Sequence, residues 1–186
     1  MVTGKVICMD MDGILSNFYP GYNAICERLG KPILPVGRWD DFLDKEVWAE
    51  IKSDSGFWSR LPSLVSGKVF DRIQRLKLDN TVYFVTNRVG IRPHVQTRMW
   101  LERHGVYRPT VIVSKLKGEV AKALSATHFI EDKAENAWCV AWLSPGTQSY
   151  LLDAPYNQYD PGQFGSRRVK RIGSVEEFLD IVEGGN

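Results

Sequence analysis

The feature that most constrains the fold is an apolar run near the start of the chain that ends abruptly in two carboxylates. Residues 6–9 are Val-Ile-Cys-Met, and Asp10, Met11, Asp12 and Gly13 follow directly. Two carboxylates this close repel each other, and burial raises the free energy of each charged form. A divalent cation offsets that cost, and phosphoryl transfer through an aspartyl-phosphate uses such a pair in two protonation states. A strand followed by a simple Asp/Gly turn is the alternative without catalysis.

Five apolar segments predict strands that are covered on both faces. They span residues 5–10, 81–86, 110–114, 128–131 and 149–153. Helical patterns lie between and after them, beginning near Ser66, Pro93, Lys117, Lys133 and Ser174. Strands that alternate with helices predict an α/β fold, namely a Rossmann-like parallel sheet flanked by helices.

The segment from 17 to 66 interrupts this alternation. It contains no convincing strand. It does contain several aromatic and proline residues, namely Trp39, Phe42, Trp48, Phe57, Trp58, Pro32, Pro35 and Pro62. We predict a small helical cap over residues 17–66, inserted after the first strand and lying over that strand's carboxyl end. Residues 1–16 and 67–186 would then form the core domain. Most of these aromatic side chains must also contribute to the cap's own hydrophobic core.

Composition and charge restrict the possible partners. The chain has 186 residues, 44% hydrophobic and 25% charged, which suits one domain with a modest insertion. A net charge of +2 is too small to predict nucleic-acid binding. We expect the basic cluster Arg167, Arg168, Lys170 and Arg171 to be a solvated edge segment after the last strand.

Several classes of protein and of site do not fit the sequence. No apolar run approaches the ~20 residues of a membrane-spanning helix, and the first residues lack a signal-peptide pattern. The cysteines Cys8, Cys26 and Cys139 have no zinc-ligand spacing, so we expect free thiols in a reducing compartment. The expectation is a cytoplasmic protein without a membrane partner, as a monomer or homodimer.

Polar side chains follow four of the predicted strands, where ligands gather in an open parallel sheet. These groups are Asp10 and Asp12, then Thr86, Asn87 and Arg88, then Lys115 and Lys117, then Glu131 and Asp132. A carboxylate pair, a hydroxyl, a lysine and a second acidic pair would thus converge on one site. Mg²⁺-dependent phosphate transfer requires this set of groups.

The four motifs, in this order, resemble those of the haloacid dehalogenase superfamily phosphatases over essentially the whole chain. The resemblance implies that Asp10 is the nucleophile and Asp12 the general acid and base. It also implies that the Thr86 hydroxyl and the Asn87 N–H bind phosphate. Lys117 would neutralise the nucleophile and the phosphoryl group, with Lys115 as the competing candidate.

The same resemblance implies a Mg²⁺ site. Asp10, Asp132 and the backbone carbonyl of Asp12 would hold the ion, and Glu131 would act directly or through water. Gly13 would allow the tight turn that brings backbone amides to the phosphate.

More narrowly, the chain resembles the 5'(3')-deoxyribonucleotidases. The supporting residues are Asp10 to Leu15 followed by Asn17-Phe18, Gly56-Phe57-Trp58 before Leu61-Pro62, and the late run from Leu151 to Asn157. This resemblance implies that Phe18, Phe57 and Trp58 sandwich a nucleobase, with Trp39 or Phe42 as further candidates. The expected substrate is therefore a (deoxy)nucleoside monophosphate.

The chain departs from the animal enzymes of that family at three positions. Thr86-Asn87-Arg88 stands where they have Thr-Ser-Pro, Glu131-Asp132 replaces Asp-Asp, and Lys115 replaces an arginine. Arg88 is either an extra phosphate or sugar contact or a surface residue. A phosphatase of another small phosphorylated metabolite is the alternative within enzymes. A non-catalytic phosphate- or nucleotide-binding module is the alternative from another class.

Overall fold

A six-stranded parallel sheet forms the centre of the protein in a computed structural model that describes residues 4–35, 44–158 and 168–184. The strands are β1 (Val6–Met9), β2 (Thr81–Thr86), β3 (Thr110–Val113), β4 (His128–Glu131), β5 (Gln148–Leu152) and β6 (Val169–Ile172). Their spatial order is β3-β2-β1-β4-β5-β6, and every neighbouring pair is parallel. The predicted α/β fold with a parallel sheet is confirmed, and five strands agree with the prediction to within one residue at each end.

Seven helices accompany the strands in the described ranges. They are α1 (Phe18–Arg28), α2 (Lys45–Ser53), α3 (Gly67–Asp79), α4 (Pro93–Arg103), α5 (Lys117–Ala123), α6 (Ala134–Leu143) and α7 (Val175–Gly184). Pro93 is the first residue of α4, where its missing N–H costs nothing. Ser174 accepts a hydrogen bond from the Glu177 N–H at 3.0 Å, so the predicted cap of the last helix is present.

The sixth strand corrects the prediction that the sheet ends at residue 153. β6 pairs with β5 from Val169 to Ile172, in the segment that the sequence marked only as basic. Along β6 only Ile172 is buried, because this edge strand covers little of the core. Its charged side chains hide the apolar pattern of a strand, as is common at sheet edges. Arg167 lies outside the described residues.

Hydrophobic side chains fill both faces of the sheet, as strands buried on two sides require. On one face Ile7 and Met9 belong to a cluster that includes side chains of α3, α4 and α7. On the other face Cys8 and Phe129 pack with side chains of α5 and α6. The three cysteines are free thiols. No helix in the described part of the chain is long and apolar enough to cross a membrane.

The inserted segment, residues 17–66, carries α1 and α2 and has its own hydrophobic cluster. That cluster comprises Phe18, Tyr22, Ile25, Cys26, Leu34, Val47, Ile51, Phe57, Trp58 and Leu61. Hydrogen bonds connect it to α4: the Trp100 indole N–H donates to the Leu61 carbonyl at 2.6 Å, and Gln96 Oε1 accepts from the Trp58 N–H at 2.9 Å. Trp39 and Phe42, the further candidates for base stacking, lie outside the described residues. The division of the chain into core and cap domains remains a prediction.

Candidate active site

The sheet brings the polar strand ends together at one edge. β1 lies between β2 and β4, so the residues that end or follow these three strands are neighbours. The Asp10 N–H donates to the Ile130 carbonyl at 3.0 Å, which places Asp10 beside Glu131. Thr86 ends β2 on the other side of β1. Parallel strands therefore position a nucleophile candidate between a hydroxyl and a second acidic pair.

A buried lysine bridges two of the carboxylates. Lys117 Nζ lies 2.7 Å from Asp10 Oδ1, and 2.7 and 3.0 Å from the two carboxylate oxygens of Glu131. Burial favours the neutral amine, but the charges of Asp10 and Glu131 together raise the pKa of Lys117 above its usual value. The two carboxylates therefore favour the protonated form of Lys117. Lys115, the competing candidate, is exposed.

The acidic cluster has the geometry of a cation site. Asp10, Glu131 and Asp132 are all buried, and one oxygen from each lies within 4.8 Å of the others. Asp132 Oδ1 is buried without a hydrogen-bond partner among the described residues. Burial, with the nearby charge of Asp10, raises the pKa of Asp132 to about 7, and burial also raises the pKa of Glu131 well above its usual value. The three carboxylates outnumber Lys117 and the half-buried Lys133, whose charge also acts on Asp132. A hard divalent cation with oxygen ligands fits the surplus negative charge.

The segment after β5 holds Asp132 in place. The Tyr156 hydroxyl donates to Asp132 Oδ2 at 2.6 Å, and the Asn157 amide donates to the Asp132 carbonyl at 2.6 Å. The sequence marked this segment only through its family resemblance and assigned neither residue a role. Their place directly after a strand end was the available signal, since that edge of a parallel sheet carries the site.

Gly13 makes room for the same carboxylate. Its φ is +88°, and a Cβ at this position would lie 2.2 Å from Asp132 Oδ2. Any other residue would therefore both strain the backbone and displace Asp132. The sequence predicted the turn at Gly13 but not this contact.

Asp12 is held by Arg88 in a bidentate ion pair. Arg88 Nε donates to Asp12 Oδ2 at 2.9 Å, and Nη2 donates to Oδ1 at 2.7 Å. The side chain of Arg88 is 0% exposed, whereas that of Asp12 is 13% exposed. The surface alternative for Arg88 is wrong, because the guanidinium lies buried behind Asp12.

A cavity of about 200 Å³ opens onto the site. Its lining residues are Asp10, Asp12, Phe18, Trp48, Trp58, Thr86, Asn87, Lys117, Lys133 and Asn136. Seven of these are predicted site residues. Trp48, Lys133 and Asn136 are additions that the sequence did not assign to the site. The cavity thus has a charged floor at the strand ends and an aromatic wall from the inserted segment.

The aromatic wall differs in composition from the predicted one. Phe57 packs in the hydrophobic cluster of the inserted segment, with its ring centroid 4.8 Å from that of Trp58 and edge-on to it. Trp48 lines the cavity, and its ring centroid is 5.9 Å from that of Phe18. The structure therefore places Phe18, Trp48 and Trp58 at the cavity, and Phe57 among the side chains that support them.

Solved structures of haloacid dehalogenase-like hydrolases resemble the chain over nearly its full length. One from Streptococcus pneumoniae has a TM-score of 0.60 at 12% identity and covers 96% of this chain and 98% of that chain. A second, from Deinococcus radiodurans, contains bound phosphate and sodium. Its TM-score is 0.59 at 13% identity, and the match covers 100% of this chain and 98% of that chain. L-2-haloacid dehalogenase from Xanthobacter autotrophicus, with chloropropionic acid covalently bound, has a TM-score of 0.59 at 11% identity. The match covers 98% of this chain and 100% of that chain.

No protein-family model matches the sequence, and no curated protein is significantly similar to it. The structural likeness at these low identities establishes the architecture, in agreement with the strand order and the strand-end site. The chain has the haloacid dehalogenase-like fold.

Proposed function

We propose that the protein is a Mg²⁺-dependent phosphomonoesterase that forms an aspartyl-phosphate on Asp10. The observation that carries this proposal is the surplus of buried carboxylates around the buried Lys117, with Asp132 Oδ1 lacking a hydrogen-bond partner among the described residues. Asp10, Asp132 and Glu131, with the backbone carbonyl of Asp12, are the residues that would hold the ion. When bound, Mg²⁺ supplies positive charge that reduces the repulsion between Asp10 and an incoming phosphate.

The residues of the chain account for both halves of the reaction. Lys117 offsets the charge of Asp10 and of the phosphoryl group, and the Thr86 hydroxyl and Asn87 N–H donate hydrogen bonds to phosphate oxygens. Asp10 attacks phosphorus while Asp12 gives a proton to the leaving oxygen. Asp12 then removes a proton from the water that cleaves the aspartyl-phosphate.

The aromatic wall supports a nucleotide as the substrate. Phe18, Trp48 and Trp58 line the cavity beside the phosphate-binding groups, and Trp48 is the one of the three that is partly exposed. Any nucleobase can stack on an aromatic ring of this kind. The proposed activity is accordingly that of a 5'(3')-deoxyribonucleotidase acting on (deoxy)nucleoside monophosphates. The phosphate bound to the related fold from Deinococcus radiodurans is consistent with phosphate as the reacting group.

Halide displacement from a haloacid is a second candidate, because one structural neighbour is a dehalogenase with chloropropionic acid bound covalently. The acidic cluster disfavours it. Glu131 and Asp132 would repel an anionic haloacid, whereas a phosphate monoester can share a divalent cation with these carboxylates. A phosphatase of another small metabolite would use the same charged groups but not the aromatic wall.

The test is phosphate release from deoxy- and ribonucleoside 5' and 3' monophosphates and from sugar phosphates, each with Mg²⁺ and with EDTA. Halide release from 2-chloropropionate is measured alongside, with Asp10→Asn as the blank. Mg²⁺-dependent turnover of deoxynucleotides supports the proposal. Turnover confined to sugar phosphates would support the phosphatase mechanism and reject a nucleotide as the substrate. Halide release without phosphate release would reject the phosphatase activity. No activity on any of these substrates would favour a non-catalytic binding module.

A further inference from the structure

Arg88 is a charged group at the site whose side chain is fully buried. Its guanidinium donates to Asp12, to the Ser16 hydroxyl at 2.7 Å and to the Thr97 hydroxyl at 3.0 Å. Its Cζ atom lies 5.1 Å from the centre of the Trp58 ring. Burying an arginine to this extent is costly unless its charge and its donors are matched, as they are here. The side chain is therefore rigid and committed to partners within the protein.

The partners of Arg88 are fixed in turn. Thr97 donates its hydroxyl hydrogen to the Pro93 carbonyl at 2.7 Å, one turn earlier in α4. Ser16 Oγ lies 2.8 Å from Asp12 Oδ1 and 3.0 Å from the Met11 carbonyl oxygen. A single hydroxyl hydrogen serves these two acceptors, and the charged carboxylate is the stronger one. Helix α4 and the turn after β1 thus hold Asp12 from two directions.

This arrangement makes the two oxygens of Asp12 unequal. Oδ1 accepts from both Arg88 Nη2 and Ser16, which uses its two lone pairs. Among the described residues Oδ2 accepts only from Arg88 Nε, which leaves it one lone pair. Asp12 is also one of the residues that line the cavity, as is Asp10. Oδ2 is therefore the oxygen of Asp12 that has a place for a proton.

Building on the proposed phosphatase reaction, we propose that Arg88 is a positioning residue that orients Asp12 so that Oδ2 carries the transferred proton. In the first half, the Asp10–phosphorus bond forms, the bond from phosphorus to the leaving oxygen breaks, and that oxygen takes its electron pair and the proton from Oδ2. In the second half, Oδ2 takes a proton from water while the water oxygen bonds to phosphorus and the Asp10–phosphorus bond breaks. This role takes the place of the predicted substrate contact for Arg88.

A comparison of leaving groups tests this role, because p-nitrophenolate departs without a proton whereas a nucleoside alkoxide requires one. The measured quantity is kcat/KM, which reports steps up to release of the leaving group. For Arg88→Ala we expect kcat/KM to fall roughly 100-fold with a nucleoside monophosphate, as for loss of general acid catalysis, and less than about 5-fold with p-nitrophenyl phosphate. Equal losses on the two substrates, or no loss, would overturn the proposal.

Further variants separate orientation from charge and from folding. Arg88→Lys keeps the charge but not the bidentate geometry, so it is expected to lose the nucleotide reaction as Arg88→Ala does. Added guanidinium ion should restore part of the nucleotide activity of Arg88→Ala. Full activity in Arg88→Lys would assign the effect to charge alone and overturn the proposal.

The matched control is Arg103→Ala, which removes an arginine of α4, the helix that also carries Thr97; Arg103 donates to the Ser59 carbonyl at 2.9 Å. Its ratio of activities on the two substrates should equal that of the wild type. If Arg88→Ala does not fold, as judged by circular dichroism, Thr97→Val gives the same comparison with a milder change. If wild-type protein hydrolyses neither phosphate ester, the proposed function itself fails, whereas an active wild type with an unaffected Arg88→Ala rejects only this role.

Discussion

Lys117 Nζ lies 2.7 Å from a carboxylate oxygen of both Asp10 and Glu131, so a single buried ammonium bridges the ends of β1 and β4. The first of these carboxylates is the proposed nucleophile, and the second belongs to the acidic cluster. The lysine partly neutralises the cluster without occupying Asp132 Oδ1. This relationship explains how the fold tolerates three buried carboxylates and still leaves a place for a cation.

Replacing this lysine should destabilise the protein and abolish phosphate transfer. Lys117→Met leaves Asp10 and Glu131 without their common counter-charge, at a cost on the order of 3 kcal/mol for a broken buried pair. Thermal unfolding without divalent cation should therefore show a lower Tm than the wild type. Mg²⁺ should raise the Tm of the variant, because the ion meets even less competing positive charge in the cluster. A Tm equal to that of the wild type would show that the ion pairs of Lys117 contribute nothing to the stability of the folded protein.

Gly13→Ala should impair metal binding more than folding. The new methyl group would lie 2.2 Å from Asp132 Oδ2, so the carboxylate must move. Isothermal titration with Mg²⁺ should show weaker binding than in the wild type, together with loss of phosphate release.

Gly30→Ala provides the matched control for that substitution. Gly30 also has a positive φ of +62°, but a Cβ there meets nothing within 4 Å. Both variants incur the backbone cost of about 1 kcal/mol or more, and only Gly13→Ala displaces Asp132. Equal Mg²⁺ affinities in the two variants would contradict the assignment of Asp132 as a ligand.

The stability of the metal-free protein should depend on pH through Asp132. Its pKa rises from 3.8 to about 7 on folding, so the folded state binds more protons than the unfolded chain between these values. This contribution to stability is complete below pH 3.8 and is lost as the pH rises through about 7. Glu131 acts in the same direction, because folding also raises its pKa.

Thermal unfolding from pH 5 to pH 8 in EDTA measures this effect. Asp132→Asn removes the contribution of Asp132, so its Tm should fall less steeply over this range than that of the wild type. Mg²⁺ competes with the proton, so the rise in Tm that it causes in the wild type should be larger at pH 8 than at pH 5.5. Parallel curves for the wild type and Asp132→Asn would contradict the expected proton uptake.

The aromatic residues should divide into those that contact substrate and those that support them. Trp48→Ala removes a ring that lines the cavity, so KM for nucleotides should rise roughly 10-fold, as expected for the loss of about 1–3 kcal/mol of base stacking. KM for a small phosphate ester without a base should change little. Phe57→Leu alters a ring packed inside the inserted segment and should lower Tm with little change in KM. A larger effect of Phe57→Leu than of Trp48→Ala on nucleotide KM would reverse this assignment.

Most of the strands and helices can be predicted from the sequence because they depend on patterns of neighbouring residues. The apolar run before Asp10 gives β1, Pro93 begins α4, and the polar groups after each strand must share one edge in a parallel sheet. β6 escaped prediction because only Ile172 of this edge strand is buried. A strand can be predicted from the sequence when its pattern of apolar residues reflects its burial, as in β1, and not when few of its residues are buried, as in β6.

The side chains that complete the site depend on contacts that no local pattern records. Arg88 meets Asp12 across 76 positions of the sequence, and Tyr156 meets Asp132 across 24. An arginine next to a strand end suits a phosphate contact, a surface position or a buried ion pair equally well until its partner is known. Trp48 lines the cavity, whereas Phe57 packs in the hydrophobic cluster of the inserted segment, and the sequence leaves open which ring takes which place.

The most direct test of the account is to look for the phosphoryl group on Asp10. Asp12→Asn removes the base that activates water, so the variant should accumulate aspartyl-phosphate when supplied with Mg²⁺ and p-nitrophenyl phosphate, a good leaving group. Mass spectrometry of the acid-quenched protein should then locate one phosphoryl group on the peptide that contains Asp10. Absence of this modification in Asp12→Asn, together with undiminished phosphate release by Asp10→Asn, would contradict the proposed nucleophile.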